Sequence, residues 1–508
     1  EKKNILYFGA AVISIIVCII ASIWFSSICG IKGVTHWHIL LRTLFTIFYC
    51  LIILPAAAFV LGLVSQKKGV RITGYVFSIF AFLFWAGMFG FLTVVSYGTV
   101  KNGGIENLNI VKVSEPLPSN KRSNGSIMHY AWASDPHWGA DTRNAAATKN
   151  ILNISNKLIN NNIERVKKES VVGDLKIDKN VSIVYSPLNG TGLIPVTRIL
   201  KESGFNNVKV VEEQRNPDGH FPTCPFPNPE VKEAMALGME YAKKYNADLL
   251  LATDPDCDRV GIAVKNGDDY KLLTGNQTGI LLLNYICEVR KLNNTMPKEP
   301  HAVKTIVSTD MADNVASYYG IKMHSVLTGF KYIGDVIANL EKDGKEANYI
   351  LGFEESYGYL TGTYVRDKDG VNASFLICEM FAYYKTRGIS LLEKLDELYN
   401  KFGYYLNTLD NFVFEGASGF NKMKEIMISF RDKIDDIGGF KIAKILDYSK
   451  GIEGLPASDV IKFFLENGST IVVRPSGTEP KLKMYCSIRA NNEKEANAIY
   501  LNIRNQLG

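Results

Sequence analysis

Cysteine is sparse and unpaired in this sequence: there are eight in 508 residues, and no two stand as C-x-x-C. That spacing excludes a C-x-x-C dithiol redox motif and reads as reduced, cytosolic-style thiol usage rather than a disulfide framework. An excess of charge of one sign is also missing. Lys and Arg number 57 against 51 Asp and Glu, a formal net charge of +6 with no basic block, so no nucleic-acid partner is expected. Long apolar runs are absent from most of the chain but crowd its beginning. The mean hydropathy of +0.01 therefore averages two unlike parts.

Three apolar stretches, about Ile5–Ile28, Ile39–Val64 and Ile72–Tyr97, are each long enough to cross a bilayer. The first is too long for a signal-peptide core and two more follow it, so residues 1–100 read as a transmembrane region of three helices with the lipid bilayer as partner. Lys2 and Lys3 precede the first stretch, Lys67, Lys68 and Arg71 separate the second from the third, and the remaining loop carries only Lys32. The excess of cations then places the N-terminus and the second loop in the cytoplasm, and three crossings leave the rest of the chain outside. The reduced style of cysteine usage points the other way, to a cytoplasmic body.

Residues 101–171 read as a linker and a short fragment. A polar run from Ser114 to Ser126 leads into Ile127-Met128-His129-Tyr130-Ala131-Trp132-Ala133-Ser134-Asp135-Pro136-His137-Trp138-Gly139. This resembles the opening of calcineurin-like metallophosphoesterases, in which a strand ends in Asp-x-His-x-Gly. The resemblance implies Asp135 and His137 as metal ligands. It covers about Ile127 to Leu158, and the later ligand motifs of that family are absent from the sequence.

From Val172 onward short apolar runs alternate with helical segments, which reads as parallel sheets flanked by helices. Val181–Tyr185 is a strand leading into the Gly-rich turn Ser186-Pro187-Leu188-Asn189-Gly190-Thr191-Gly192 and a helix through Lys201; Val208–Val211 is another strand. A helix is predicted over Pro229–Tyr245, with Asn228 as N-cap and Pro229 at its first position. The apolar run Ala247–Ala252 then ends in Thr253-Asp254-Pro255-Asp256-Cys257-Asp258-Arg259. Three carboxylates at alternate positions on a tight turn repel one another and call for a cation. Hard, oxygen-preferring Mg²⁺ is the cation that suits such ligands and serves phosphate chemistry.

Further loops carry polar groups of matching chemistry. Thr328-Gly329-Phe330-Lys331 follows a strand, and Gly352-Phe353-Glu354-Glu355-Ser356-Tyr357-Gly358 follows Tyr349-Ile350-Leu351. Glu354 and Ser356 are suited to sugar hydroxyls. A charged loop, Val365-Arg366-Asp367-Lys368-Asp369-Gly370, comes next. Arg474-Pro475-Ser476-Gly477-Thr478-Glu479-Pro480 offers a guanidinium, two hydroxyls and exposed turn amides, an anion cradle.

Together these loops resemble the α-D-phosphohexomutases, in the branch holding phosphoglucomutases and phosphopentomutases. Ser186–Gly192 and Asn216-Pro217-Asp218-Gly219-His220-Phe221-Pro222-Thr223 add to the resemblance, which covers about Ile163 to Gly508. It implies α/β sandwich domains at 172–300 (metal loop) and 301–408 (sugar loop), and a C-terminal α+β domain at 409–508 (phosphate loop). It also implies Mg²⁺ on Asp254, Asp256 and Asp258, with Arg259 and Lys368 as catalytic groups. Thr328, Gly329, Lys331, Glu354, Ser356, Arg366, Arg474, Ser476, Gly477 and Thr478 are implied to bind substrate. The implied activity converts glucose 1-phosphate to glucose 6-phosphate, with glucose 1,6-bisphosphate as activator; a mannose or pentose phosphate stays open as the substrate. The family's phosphoserine loop reads Thr-Ala-Ser-His-Asn-Pro, and no Ser-His-Asn occurs in the sequence. Two other readings follow: a membrane-tethered sugar-phosphate-binding protein without turnover, and a metallophosphoesterase remnant.

Overall fold

The computed structural model describes residues 157–507, except 415, 433, 453 and 477–480. The three apolar stretches, the Ser114–Ser126 linker, Asp135, His137, Gly477 and Thr478 lie outside the described residues. Among the described residues no helix is long and apolar enough to cross a membrane.

Three sheets follow one another along the chain. After helix α1 (157–167) come β1 (Ile183–Ser186), α2 (Leu193–Glu202), β2 (Val208–Val210), α3 (Lys232–Lys244), β3 (Leu249–Thr253), β4 (Val260–Asn266) and β5 (Asp269–Leu273). Their strands form one sheet in the order β2-β1-β3-β4-β5, parallel through β3 and antiparallel beyond it. β1 and β3 are buried along their whole length, as central strands covered on both faces must be. α2 presents Val196, Ile199 and Leu200, at helical spacing, to this core.

The second group is α4 (Gly275–Leu292), β6 (His301–Thr305), α5 (Met311–Tyr319), β7 (Lys322–Val326), α6 (Phe330–Lys342), β8 (Tyr349–Glu354), β9 (Gly358–Leu360), α7 (Gly370–Thr386) and α8 (Leu391–Phe402). Its sheet runs β7-β6-β8-β9, with β6 parallel to both neighbours. α4 packs on β8 and α5, although it precedes residue 300. Thr274 and Gln277 start α4 with a reciprocal capping box.

The third group is β10 (Tyr404–Val413), α9 (Gly416–Ser429), β11 (Asp436–Ile437), β12 (Phe440–Asp447), β13 (Ile461–Leu465), β14 (Thr470–Pro475), β15 (Lys481–Ala490) and α10 (Glu493–Leu507). It is a wholly antiparallel sheet, β10-β15-β14-β13-β12-β11.

One sequence expectation needs correction. The helix expected from Pro229 begins at Lys232, with Val231 at its N-cap. Asn228 folds a local turn instead: its Oδ1 accepts from the Glu230 N–H at 3.0 Å, and its carbonyl accepts from the Val231 N–H at 2.9 Å. Pro229 packs tightly against Gly261 of β4, where an added Cβ would lie 2.7 Å from the proline Cβ.

At the amino end of β6, His301 Nδ1 and His324 Nε2 lie 2.8 Å apart with the rings stacked. Burial first, then the neighbouring His301 and Lys322, push His324 down to about 4. The unfolded chain therefore takes up a proton near pH 6.5 that the folded chain refuses until lower pH. Stability is full above that range and falls as pH drops toward 4, by about 1–2 kcal/mol after discounting for partial exposure. Urea titrations at pH 7 and pH 4.5 should show the loss, and His324→Gln should shrink it.

Candidate active site

The parallel strands of the first two sheets deliver the polar loops at their carboxyl ends, where open α/β sheets place ligand crevices. β3 stops at Thr253 and β4 starts at Val260, paired across the turn, so the three aspartates sit on a hairpin. Asp254 is buried, and its Oδ1 accepts the N–H groups of Asp258 (3.0 Å) and Arg259 (2.9 Å). Cys257 turns the loop at φ +58° and donates its N–H to the Asp254 carbonyl at 3.0 Å. Burial, and then the charge of Asp258, push the Asp254 carboxyl up to about 8; the Arg259 N–H opposes them.

One ligand atom from each of Asp254, Asp256 and Asp258 lies within 4.8 Å of the others. Asp258 Oδ1 is buried and accepts no hydrogen bond among the described residues. A buried, orphaned carboxylate oxygen beside two more acids is a donor set that fits a hard divalent cation. Two cations of the chain flank it. Lys368 Nζ is 3.0 Å from Asp258 Oδ2, and Arg259 Nε is 3.7 Å from Asp254 Oδ2 and 3.8 Å from Asp258 Oδ1. Burial pulls the Lys368 ammonium down, and Asp258 and Glu354 outweigh it and hold the pKa above the usual lysine value.

The turn after β1 braces this hairpin. The Thr191 N–H donates to the Pro255 carbonyl at 2.8 Å and its hydroxyl donates to the same oxygen at 3.0 Å. Gly190 is required there, because a Cβ would lie 2.3 Å from the Pro255 Cα.

The Glu354 loop joins the aspartate hairpin directly. Arg259 and Gly358 form an antiparallel bridge, and the Val260 N–H donates to the Tyr357 carbonyl at 3.0 Å. Glu354 is buried; burial raises its carboxyl pKa, and the nearby Lys368 and a hydrogen bond from Ser356 partly offset that. Sequence reasoning did not single out Glu355, which locks the loop: its Oε2 accepts from Thr305 (2.8 Å), the last residue of β6, and from Ser308 (3.2 Å) just beyond it. A run of small hydroxylic residues after a buried strand was the available signal. Gly275→Ala would drive a Cβ to 2.1 Å from the Glu355 carbonyl oxygen. The expected cost is about 1–3 kcal/mol in a urea melt, with a displaced Glu354 loop.

The third loop comes from the antiparallel sheet. Arg474, near the end of β14, donates from Nη1 to Thr328 Oγ1, and the Ser476 N–H donates to the Lys481 carbonyl at 2.7 Å. Gly329 caps α6 at φ +115°, a backbone shape that suits glycine. Lys331 sits over the Tyr332 ring at 4.9 Å. Arg366 is committed elsewhere: its guanidinium donates to Glu341 near the far end of α6 and to the carbonyls of Thr363 and Val365. Lys368, two residues on, is the cation of that loop that reaches the aspartates.

Three family descriptions match this chain: Phosphoglucomutase/phosphomannomutase, alpha/beta/alpha domain II at residues 161–267, domain III at 274–402, and the C-terminal domain at 431–500. A phosphoglucomutase of Staphylococcus saprophyticus is 36% identical over 348 residues, covering 65% of this chain and 62% of that protein. A phosphoglucomutase of Staphylococcus aureus is 36% identical over 61% of this chain and 57% of its own length. A phosphomannomutase of Mycoplasma genitalium is 35% identical over 68% of this chain and 61% of its own length. The chain thus spans about three fifths of the length of these relatives. With domains II, III and IV each matched in order, the chain belongs to the α-D-phosphohexomutase superfamily.

Proposed function

We propose that this chain binds a hexose phosphate between the Glu354 loop and the Arg474 turn, and that it serves phosphoglucomutase-type phospho-sugar mutase chemistry. The carrying observation is convergence. Lys368 joins the aspartate hairpin from the second sheet, Gly358 pairs with Arg259, and Arg474 meets Thr328 from the third. Glu354 and Ser356 would hold sugar hydroxyls, and Arg474 with Ser476, Gly477 and Thr478 would hold the phosphate far from the reacting end. Thr328, Gly329, Lys331 and Arg366 are assigned to the same substrate by resemblance alone. Asp254, Asp256 and Asp258 would hold Mg²⁺. A bound cation there neutralises charge on the transferring phosphoryl group. Lys368 and Arg259 would orient and neutralise the remaining phosphoryl oxygens.

The test is conversion of glucose 1-phosphate to glucose 6-phosphate by the purified chain with Mg²⁺ and glucose 1,6-bisphosphate. Turnover that is lost in Lys368→Met supports the mutase reading. Calorimetric binding of glucose 1-phosphate without turnover selects the second reading, a sugar-phosphate-binding protein. Residues 1–100 are further read as a membrane tether. Alkaline carbonate extraction that leaves the chain with the lipid fraction supports this, and release into the supernatant overturns it.

A further inference from the structure

Asp310, which the sequence reading passed over, sits where the second sheet meets the third. It follows β6 and precedes α5, and its carboxylate is the centre of a buried network. Lys304 Nζ and Lys462 Nζ each donate to Asp310 Oδ1 at 2.9 Å, and the Thr470 hydroxyl donates to Oδ2. The Asp310 N–H donates to Ser487 Oγ at 3.3 Å, and Lys462 also donates to the Ile306 carbonyl at 3.1 Å. Lys304 is wholly buried. Lys304 comes from β6, whereas Lys462, Thr470 and Ser487 come from β13, β14 and β15, so one residue fastens three strands of one sheet to the end of another, two through its carboxylate and the third through its backbone N–H.

Strand periodicity connects this anchor to the site. Thr470, Val472 and Arg474 alternate along β14 and so share one face of the sheet. Thr470 holds Asp310, Val472 packs with Tyr485 against Ile306, Val307 and Leu327, and Arg474 reaches Thr328. On the other side, the same segment fixes the Glu354 loop, through Thr305 and Ser308 on Glu355. Residues 305–310 therefore hold Glu355 of one half of the candidate site and, through Thr470 and Val472, the strand that carries the other half, without lining the site.

We propose that Asp310 is a positioning residue that sets the separation of the Arg474 turn from the Glu354 loop, so that one sugar phosphate engages both. The proposal rests on the sugar-phosphate reading above. Two half-sites held at the correct span give an effective concentration that separate half-sites lack, and losing the span removes that advantage while each half still binds.

Calorimetry with glucose 1-phosphate and with inorganic phosphate, which needs only the Arg474 side, tests it on the full chain. Asp310→Asn should weaken glucose 1-phosphate by about tenfold or more and leave phosphate within about twofold. Thr470→Val keeps every charge and should show the same split to a smaller degree; it decides the matter if Asp310→Asn fails to fold. Equal losses for both ligands, or no loss for either, overturn the positioning role. A wild-type chain that binds phosphate but gains nothing from the sugar removes the site reading, and the proposal with it.

Discussion

Asp256→Ala lowers the affinity for Mn²⁺ or Mg²⁺ by at least about tenfold and leaves the metal-free melting temperature in place. Losing even an outer-shell partner of a metal typically costs roughly 10–100-fold in affinity, and a carboxylate ligand should cost no less. Asp256 is the informative choice because it is exposed, whereas Asp254 accepts two backbone hydrogen bonds that shape the hairpin. Truncating an exposed side chain of this kind should move metal-free stability by no more than about 0.5 kcal/mol. In the wild type, a divalent cation at a hundred times its Kd should add about 2.7 kcal/mol of stability, visible as a raised melting temperature. The variant at the same cation concentration should show little of that gain. If Asp256→Ala melts with the same metal-induced shift as the wild type, the hairpin is not the metal site.

Lys304→Met has the largest effect on folding. Its ammonium is wholly buried and lies 2.9 Å from Asp310 and 3.0 Å from Asp313. Breaking a buried ion pair by removing one partner costs about 3–5 kcal/mol, because the remaining charge is stranded in a low dielectric. Urea denaturation should report a loss of that size, and a loss below about 1 kcal/mol would mean that water or Lys462 compensates freely. The pH dependence carries the same signature. Burial pushes the Asp310 carboxyl up, but Lys304 and Lys462 together outweigh it and hold it well below the usual carboxylate range. An acid whose folded pKa is depressed stabilises the fold above its unfolded pKa and loses that contribution as pH falls. Below about pH 4 the wild type should therefore lose stability faster than Lys304→Met.

Much of the site was legible because its loops carry residue types that fit few other purposes. Alternating carboxylates at the end of a buried apolar run announced the hairpin, and the structure places all three within reach of one ion. The Glu354 and Arg474 loops were legible from their mix of acids, hydroxyls and glycine. Arg366 and Lys368 were not separable by sequence, since both are cations in one charged loop. Only the fold shows that Glu341 engages the first and Asp258 the second. Asn228 and Pro229 carried a strong helix-start signal, and the contact of Pro229 with Gly261 overrode it. Asp310 was silent for a different reason. The third-sheet partners of its carboxylate, Lys462 and Thr470, lie 152 and 160 positions away in the chain, and no local pattern encodes such a contact.

The bridge between Arg259 and Gly358 has a consequence for how this chain can be taken apart. The described sheets look like modules that could be exchanged between relatives, with a natural seam between the family matches at residues 267 and 274. Yet the aspartate hairpin on one side of the seam is stitched to the Glu354 loop on the other by a backbone bridge and a backbone hydrogen bond, which depend on how closely the two backbones are placed. A graft that imports one module alone must recreate that stitch from a foreign backbone. Recombination at this seam should succeed only when 254–260 and 354–358 travel together, so the heritable unit is the pair of loops rather than either domain.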